Sequence, residues 1–230
     1  MPTAALATDA PDDLGVVPAA RLFERTGAVV ADAQKIVATA RTGVRARIEA
    51  LGGIDAAQHV AHGFAWLATT AEGLAQMHAW ASRLEGEGRF GEMERLILLV
   101  AFSEYASQIA GGIPMSQVET IRAHELGVPR RDLRAFEDAS ADVIAAGADE
   151  ALRARLADLI ALAQGATTYG DAGLDETHAE IHEQMRRFSL AEVVPHAHEW
   201  HLANAYIPME IVEKVGELGV FGLTIPEDLG

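Results

Sequence analysis

Residues 208–230 read Pro208-Met-Glu-Ile-Val-Glu-Lys-Val-Gly-Glu-Leu-Gly219-Val-Phe-Gly222-Leu-Thr-Ile-Pro226-Glu-Asp-Leu-Gly230. Pro208 suits the first turn of a helix, where a missing N–H costs nothing. Ile211, Val215 and Leu218 recur at steps of four and three, which makes one apolar stripe with Glu210, Glu213, Lys214 and Glu217 largely off it. Gly219 stands where a left-handed C-cap is expected. Phe221 to Ile225 is too short and apolar for another helix, and Pro226 halts it. The stretch therefore predicts a short helix that stops on a glycine, crosses Gly222, and delivers a buried apolar segment to a Pro-Glu turn.

Upstream, Phe188 lies near a helix start, Pro195 falls inside the helical stretch and Trp200 follows it. Taken in order, Phe188, Pro195, Trp200, Pro208, Glu217-Leu218-Gly219, Gly222-Leu223, Ile225, Pro226-Glu227 and Gly230 resemble the start of the acyl-CoA dehydrogenase family. Each element alone is weak, whereas the ordered series is specific. It covers the last fifth or so of the chain. A helical stretch as long as residues 18–164 ahead of that start is unusual for the family.

Composition sets the fold class independently. Half of the 230 residues are hydrophobic, but only 6% are aromatic. Ala, Leu, Glu and Arg favour helix, while Val, Ile and Thr never gather into alternating runs. An all-α fold is expected, a helical bundle followed by the start of an acyl-CoA dehydrogenase N-terminal helical domain. The formal charge of −16 argues against a nucleic-acid groove, which needs a basic footprint. With no cysteine, disulfides and thiolate chemistry are excluded. The longest apolar run, Leu96 to Phe102, falls far short of the ~20 residues of a spanning helix. The N-terminus has neither a basic region nor a long apolar run of a signal peptide. A soluble, cytoplasmic protein is expected.

In chain order, residues 1–17 read as a disordered tail. A first helix is predicted from Pro18 to about Leu51, ended by Gly52-Gly53. Asp55 is expected to cap a second helix that frays at Gly86-Glu-Gly88. A third spans about Glu92 to Ala110, with Leu96–Phe102 buried nearly all round, and Gly111-Gly112-Ile-Pro114 breaks it. Ser116-Gln-Val-Glu119 reads as a capping box that starts a short helix ending at Gly127. Two further helices, Arg131–Ala146 and Asp149–Gln164, are separated by Gly147. Residues 165–173 make the best linker, which divides an 18–164 bundle from a domain at 174–230. Asp175 caps a helix carrying Ile181, Met185 and Phe188, which Pro195 kinks or restarts.

No residue earns a catalytic, cofactor-binding or metal assignment. His59 and His62, His178 and His182, and His198 and His201 have helical ligand spacing. They lack the Glu-x-x-His partners of di-iron bundles, however, and Glu180 is misplaced for a His-Glu-x-x-His site. Packing or surface roles are favoured, with a metal-binding bundle a distant alternative. Gly219-Val-Phe-Gly222 is preceded by a helix, whereas a nucleotide loop needs a strand there. Gln108-Ile-Ala-Gly111-Gly112 is similar to a Gln-x-x-Gly-Gly of the family's carboxyl-terminal bundle, which lies against FAD. Beyond Gly112 that likeness fails, and two glycines ending a helix for steric reasons is an equal reading. Glu227 belongs, by resemblance, to a structural turn.

The resemblance implies a parent that uses FAD to form a 2,3-enoyl-CoA from a short branched acyl-CoA. It further implies electron transfer to an electron-transfer flavoprotein, and a homodimer is expected. It places the base and the flavin site beyond Gly230, so this stretch alone is expected to lack the active site and to bind no FAD. A self-standing helical interaction module without catalysis is the alternative.

Overall fold

The computed structural model describes residues 18–164, 168–226 and 228, and the tail expected at 1–17 lies outside them. Among the described residues the fold is all-α apart from one two-residue antiparallel pair. The chain divides into two compact units between Gly173 and Leu174.

In the first unit, α1 (Ala19–Ala50) and α2 (Gln58–Gly86) pack along each other, and α3 (Glu92–Gly111) and α4 (Arg130–Ala148) complete the core. The reason is legible in α1, where Leu22, Thr26, Val29, Ala33, Ile36, Ala40 and Val44 are all buried. Their steps of three and four make one face. On α4 the buried set is Leu133, Phe136, Ser140, Val143 and Gly147, again a single stripe. Between them runs α3, with Leu96, Leu98, Leu99 and Phe102 buried, and it packs most extensively on α4. The last helix of the unit, α5 (Glu150–Leu162), has no fully buried residue. It is fastened to α3 by Arg155, both of whose bonds to Glu92 measure 2.8 Å, and by Arg153 bonded to Glu104.

Several local expectations are corrected. Gly147 does not separate two helices: it lies inside α4, buried, and the break comes at Asp149, whose carboxylate accepts from the Leu152 N–H at 2.9 Å. Ser116-Gln-Val-Glu119 starts no helix. Ser116 Oγ accepts from the Glu119 N–H at 3.2 Å, but that bond closes a turn between β1 (Ile113–Pro114) and β2 (Thr120–Ile121). Ile113 and Ile121 face each other in that pair and both are buried, so tertiary burial holds the segment extended. The helical turn comes later, as a 3-10 turn over Ala123–Leu126, where Glu125 accepts from the Arg122 N–H at 2.8 Å. Asp55 makes no capping bond; it begins a 3-10 turn that leads into α2. Gly88 does not let α2 fray, because with φ +69 it lets the Arg89 N–H reach back to the Leu84 carbonyl at 2.8 Å, which is a firm C-cap.

Polar contacts also tie α1 to its neighbours. Arg25 donates twice to Asp142 of α4, at 2.6 and 2.7 Å. His78 of α2 places Nδ1 2.9 Å from Thr26 Oγ1, and burial holds the imidazole pKa below its ordinary value of 6.5. The unfolded chain therefore takes up a proton at a pH where the folded chain does not. The stability linked to His78 is complete above about pH 6.5 and declines as the pH falls through and below it. Urea midpoints at about pH 7.5 and 5.5 should fall toward acid, and His78→Gln should remove that part of the decline.

The second unit contains α6 (Glu176–Phe188), α7 (Val194–Leu202) and α8 (Met209–Glu217). Asp175 caps α6 as expected, accepting from the His178 N–H at 2.9 Å. Between α6 and α7, Ser189–Val193 forms a π-helical turn, with the Val194 N–H bonded to the Ser189 carbonyl. That widened turn leaves room for Pro195, which lacks an N–H and crowds the preceding carbonyls. Helix α8 opens after Pro208 and ends at Gly219, φ +74, with Ile211, Val215 and Leu218 half-buried along one face. The segment that follows departs from expectation. Val220–Gly222 is a 3-10 turn, and Phe221, Leu223 and Ile225 are exposed. No helix of this unit has a fully buried residue.

Candidate functional site

The Gly111-Gly112 pair closes α3 for a local reason. Gly112 has φ +139, and a Cβ built on it would lie 2.8 Å from Thr120 Cγ2 and 3.2 Å from Arg122 Cγ. The space beside the glycine is thus filled by the chain's own β2 side, and Gln108 contributes its carbonyl, which accepts from the Gly112 N–H at 2.8 Å. At the other pair, Gly219 serves as the left-handed end of α8 and neither it nor Gly222 has a heavy atom within 4 Å of a built Cβ. Neither pair forms a cradle of converging N–H groups for a phosphate or an isoalloxazine edge. These residues do not fit a flavin by themselves. Glu227 lies outside the described residues.

The paired histidines do not converge on shared ligands. Trp66 donates its indole N–H to His62 at 3.0 Å. His178 bonds Asp175 at 2.7 Å, and His196 stacks on Trp200 with ring centroids 5.7 Å apart. His59, His182, His198 and His201 are exposed on their helices. Among the described residues no three His, Asp or Glu side chains are grouped to hold a metal ion.

Two open grooves flank α1. One, of about 350 Å³, is lined by Asp32, Lys35, Ile36, Thr39, Asp132 and Phe136. Its one lysine donates to Asp32 at 2.7 Å, so the two charges largely cancel. The other, of about 650 Å³, lies between α1 and α2 and includes Arg41, Glu72, Gly73 and Gln76; Gln76 donates to Glu72 at 2.7 Å. In the first groove the Thr39 hydroxyl is engaged locally, donating to the Lys35 carbonyl at 3.0 Å.

Among the described residues, a polar constellation forms that local sequence patterns do not reveal. Trp80, Arg89 and Glu94 converge on Asp171, at the end of the stretch expected to be a linker. Only the Asp-x-Gly pattern at 171–173, a turn signal, could have hinted at it. Among the described residues, no helix is long and apolar enough to cross a membrane.

Residues 175–230 match the sequence model of the acyl-CoA dehydrogenase N-terminal domain. The chain is 48% identical over 204 residues to (2S)-methylsuccinyl-CoA dehydrogenase of Cereibacter sphaeroides, covering 86% of this chain and 37% of that protein. It is also 35% identical over 60 residues to glutaryl-CoA dehydrogenase of Desulfococcus multivorans, which covers 26% of this chain and 15% of that protein. The chain thus spans well under half the length of either relative. A match of 204 residues is far longer than 175–230, so it takes in most of the helical unit as well. This chain is homologous to the amino-terminal portion of methylsuccinyl-CoA dehydrogenase and, over residues 175–230, carries an acyl-CoA dehydrogenase N-terminal domain.

Proposed function

We propose that this chain is the amino-terminal part of an FAD-dependent acyl-CoA dehydrogenase acting on methylsuccinyl-CoA, in the ethylmalonyl-CoA pathway. The observation that carries the reading is the 204-residue likeness, which includes the helical unit that most of the family lacks. The glutaryl-CoA dehydrogenase likeness, at 60 residues, is only about as long as the matched N-terminal domain. Bound to the longer protein, FAD would supply the hydride acceptor for 2,3-dehydrogenation of an acyl-CoA, a carboxylate there would take the α-proton, and an electron-transfer flavoprotein would be the electron acceptor. We place that base and the flavin site in sequence beyond these residues. The role we assign to residues 174–230 is to begin the helical domain, and to the helical unit that of an added domain ahead of it.

The reading separates two samples. The 230-residue chain, purified alone, should show no stoichiometric flavin absorption near about 450 nm, a region typical of oxidised flavin. A longer protein with this sequence at its start should show that band, and methylsuccinyl-CoA should bleach it while glutaryl-CoA does not. A longer protein that holds flavin but is bleached only by glutaryl-CoA would overturn the substrate assignment. Stoichiometric flavin on the 230-residue chain would overturn the placement of the site. We also take the longer protein to be a homodimer, and a tetramer by light scattering would count against that. A helical interaction module is the second reading, and a reading frame that stops after Gly230 would favour it.

A further inference from the structure

Glu94 is the third residue of α3 and nearly buried. Its carboxylate accepts from the Gly91 N–H at 3.0 Å, which an N-terminal helix residue often does. It also accepts from the Asp171 N–H at 2.7 Å, a residue 77 positions away. From α2, the Trp80 indole N–H donates to the Asp171 carbonyl at 2.8 Å. Arg89 donates to both oxygens of the Asp171 carboxylate, at 2.8 and 2.5 Å, a bidentate geometry that fixes direction as well as distance. The same carboxylate accepts from the Gly173 N–H at 2.8 Å, which closes the turn. Asp171 therefore has its N–H, its carbonyl and both carboxylate oxygens engaged.

The positions on either side favour glycine. Gly170 and Gly173 have φ +77 and +66, and Cβ atoms built on them would lie 2.9 Å from Ile97 Cδ1 and 3.0 Å from Arg83 Nη2. A side chain at either place would meet both left-handed strain and crowding. A passive linker has no reason to combine two such glycines with a fully engaged aspartate.

We propose that Gly170–Gly173 is a clamp that holds the departing chain at one fixed point on the helical unit, between the end of α2 and the start of α3, so that the tether to the second unit begins only at Leu174. Composition assigns the whole of 165–173 to a linker. The clamp shortens the free connection and fixes its origin, whatever reaction the longer protein carries out.

Amide hydrogen exchange on the 230-residue chain tests this directly. The amides of Asp171 and Gly173 should exchange more slowly than free peptide, and Asp171→Ala should quicken both by about tenfold or more while the α1 and α4 core amides keep their protection. Arg89→Ala, which removes only an exposed guanidinium, should quicken Gly173 without unfolding anything. Proteolysis within 165–173 should accelerate in both variants. Free-peptide exchange at Asp171 and Gly173 in the unaltered chain would overturn the proposal. So would variants with unchanged exchange and cleavage in a protein whose core amides remain protected.

Discussion

Gly147→Ala should lower the stability of the helical unit by about 2 kcal/mol, and Gly147→Val by about 4 kcal/mol or more. The sign needs deciding, because alanine in a helix interior is ordinarily better than glycine by about 1 kcal/mol. Here a Cβ would lie 2.1 Å from the Leu99 carbonyl oxygen and 2.5 Å from Ser103 Cβ. The obstacle is mainly the backbone of α3, not the tip of a flexible side chain. Relieving it means separating α3 from α4, the most extensive helix pair in the fold. It also stretches the bond that Ser103 Oγ donates to the Ile144 carbonyl at 2.7 Å. Steric cost therefore exceeds propensity. Gly86→Ala is the control of opposite sign, since nothing lies within 4 Å of a Cβ built there. Urea midpoints read at unchanged m-value should fall for Gly147 and stay level or rise slightly for Gly86.

Gly147 also marks where sequence reading reaches its limit. By local rules a glycine between two helical patterns is a break, and nothing nearby says that another helix needs the missing side chain. The same limit accounts for Ser116-Gln-Val-Glu119. Its side-chain geometry serves a helix start and a turn equally well, and burial of Ile113 opposite Ile121 decides between them. It accounts for Asp171 too, whose partners Trp80, Arg89 and Glu94 are some 77 to 91 residues away. What was legible rests on local physics. The α1 stripe follows from spacing, the Asp175 cap from the need of first-turn N–H groups, and the end of α8 from the tolerance of Gly219 for positive φ. The family likeness was legible because an ordered series of individually weak signals is far harder to produce by chance than any one of them. The exposure of Phe221, Leu223 and Ile225 could not be foreseen, because apolar character says that a segment wants cover without saying which residues supply it.

Phe102→Ala and Phe221→Ala turn that last point into a measurement. Phe102 is fully buried in the middle of α3. Removing its ring should cost about 3–5 kcal/mol, because the transfer energy is lost and the cavity cannot fully collapse. The chain should then unfold at markedly lower urea. Phe221 is 62% exposed, and a Cβ built on Gly216 would lie 3.6 Å from its ring. In the 230-residue chain its truncation should change stability by no more than about 0.5 kcal/mol, as for most surface substitutions. The proposed function makes a different demand on the longer protein. If residues 174–230 begin a dehydrogenase domain, the apolar side chains after α8 have a surface to meet, and Phe221→Ala there should cost about 2 kcal/mol or more. Phe102→Ala should cost the same in both proteins, since its surroundings are complete within the helical unit. Equal and small effects of Phe221→Ala in the two proteins would mean that the segment stays uncovered, and that residues 174–230 do not seed a larger domain.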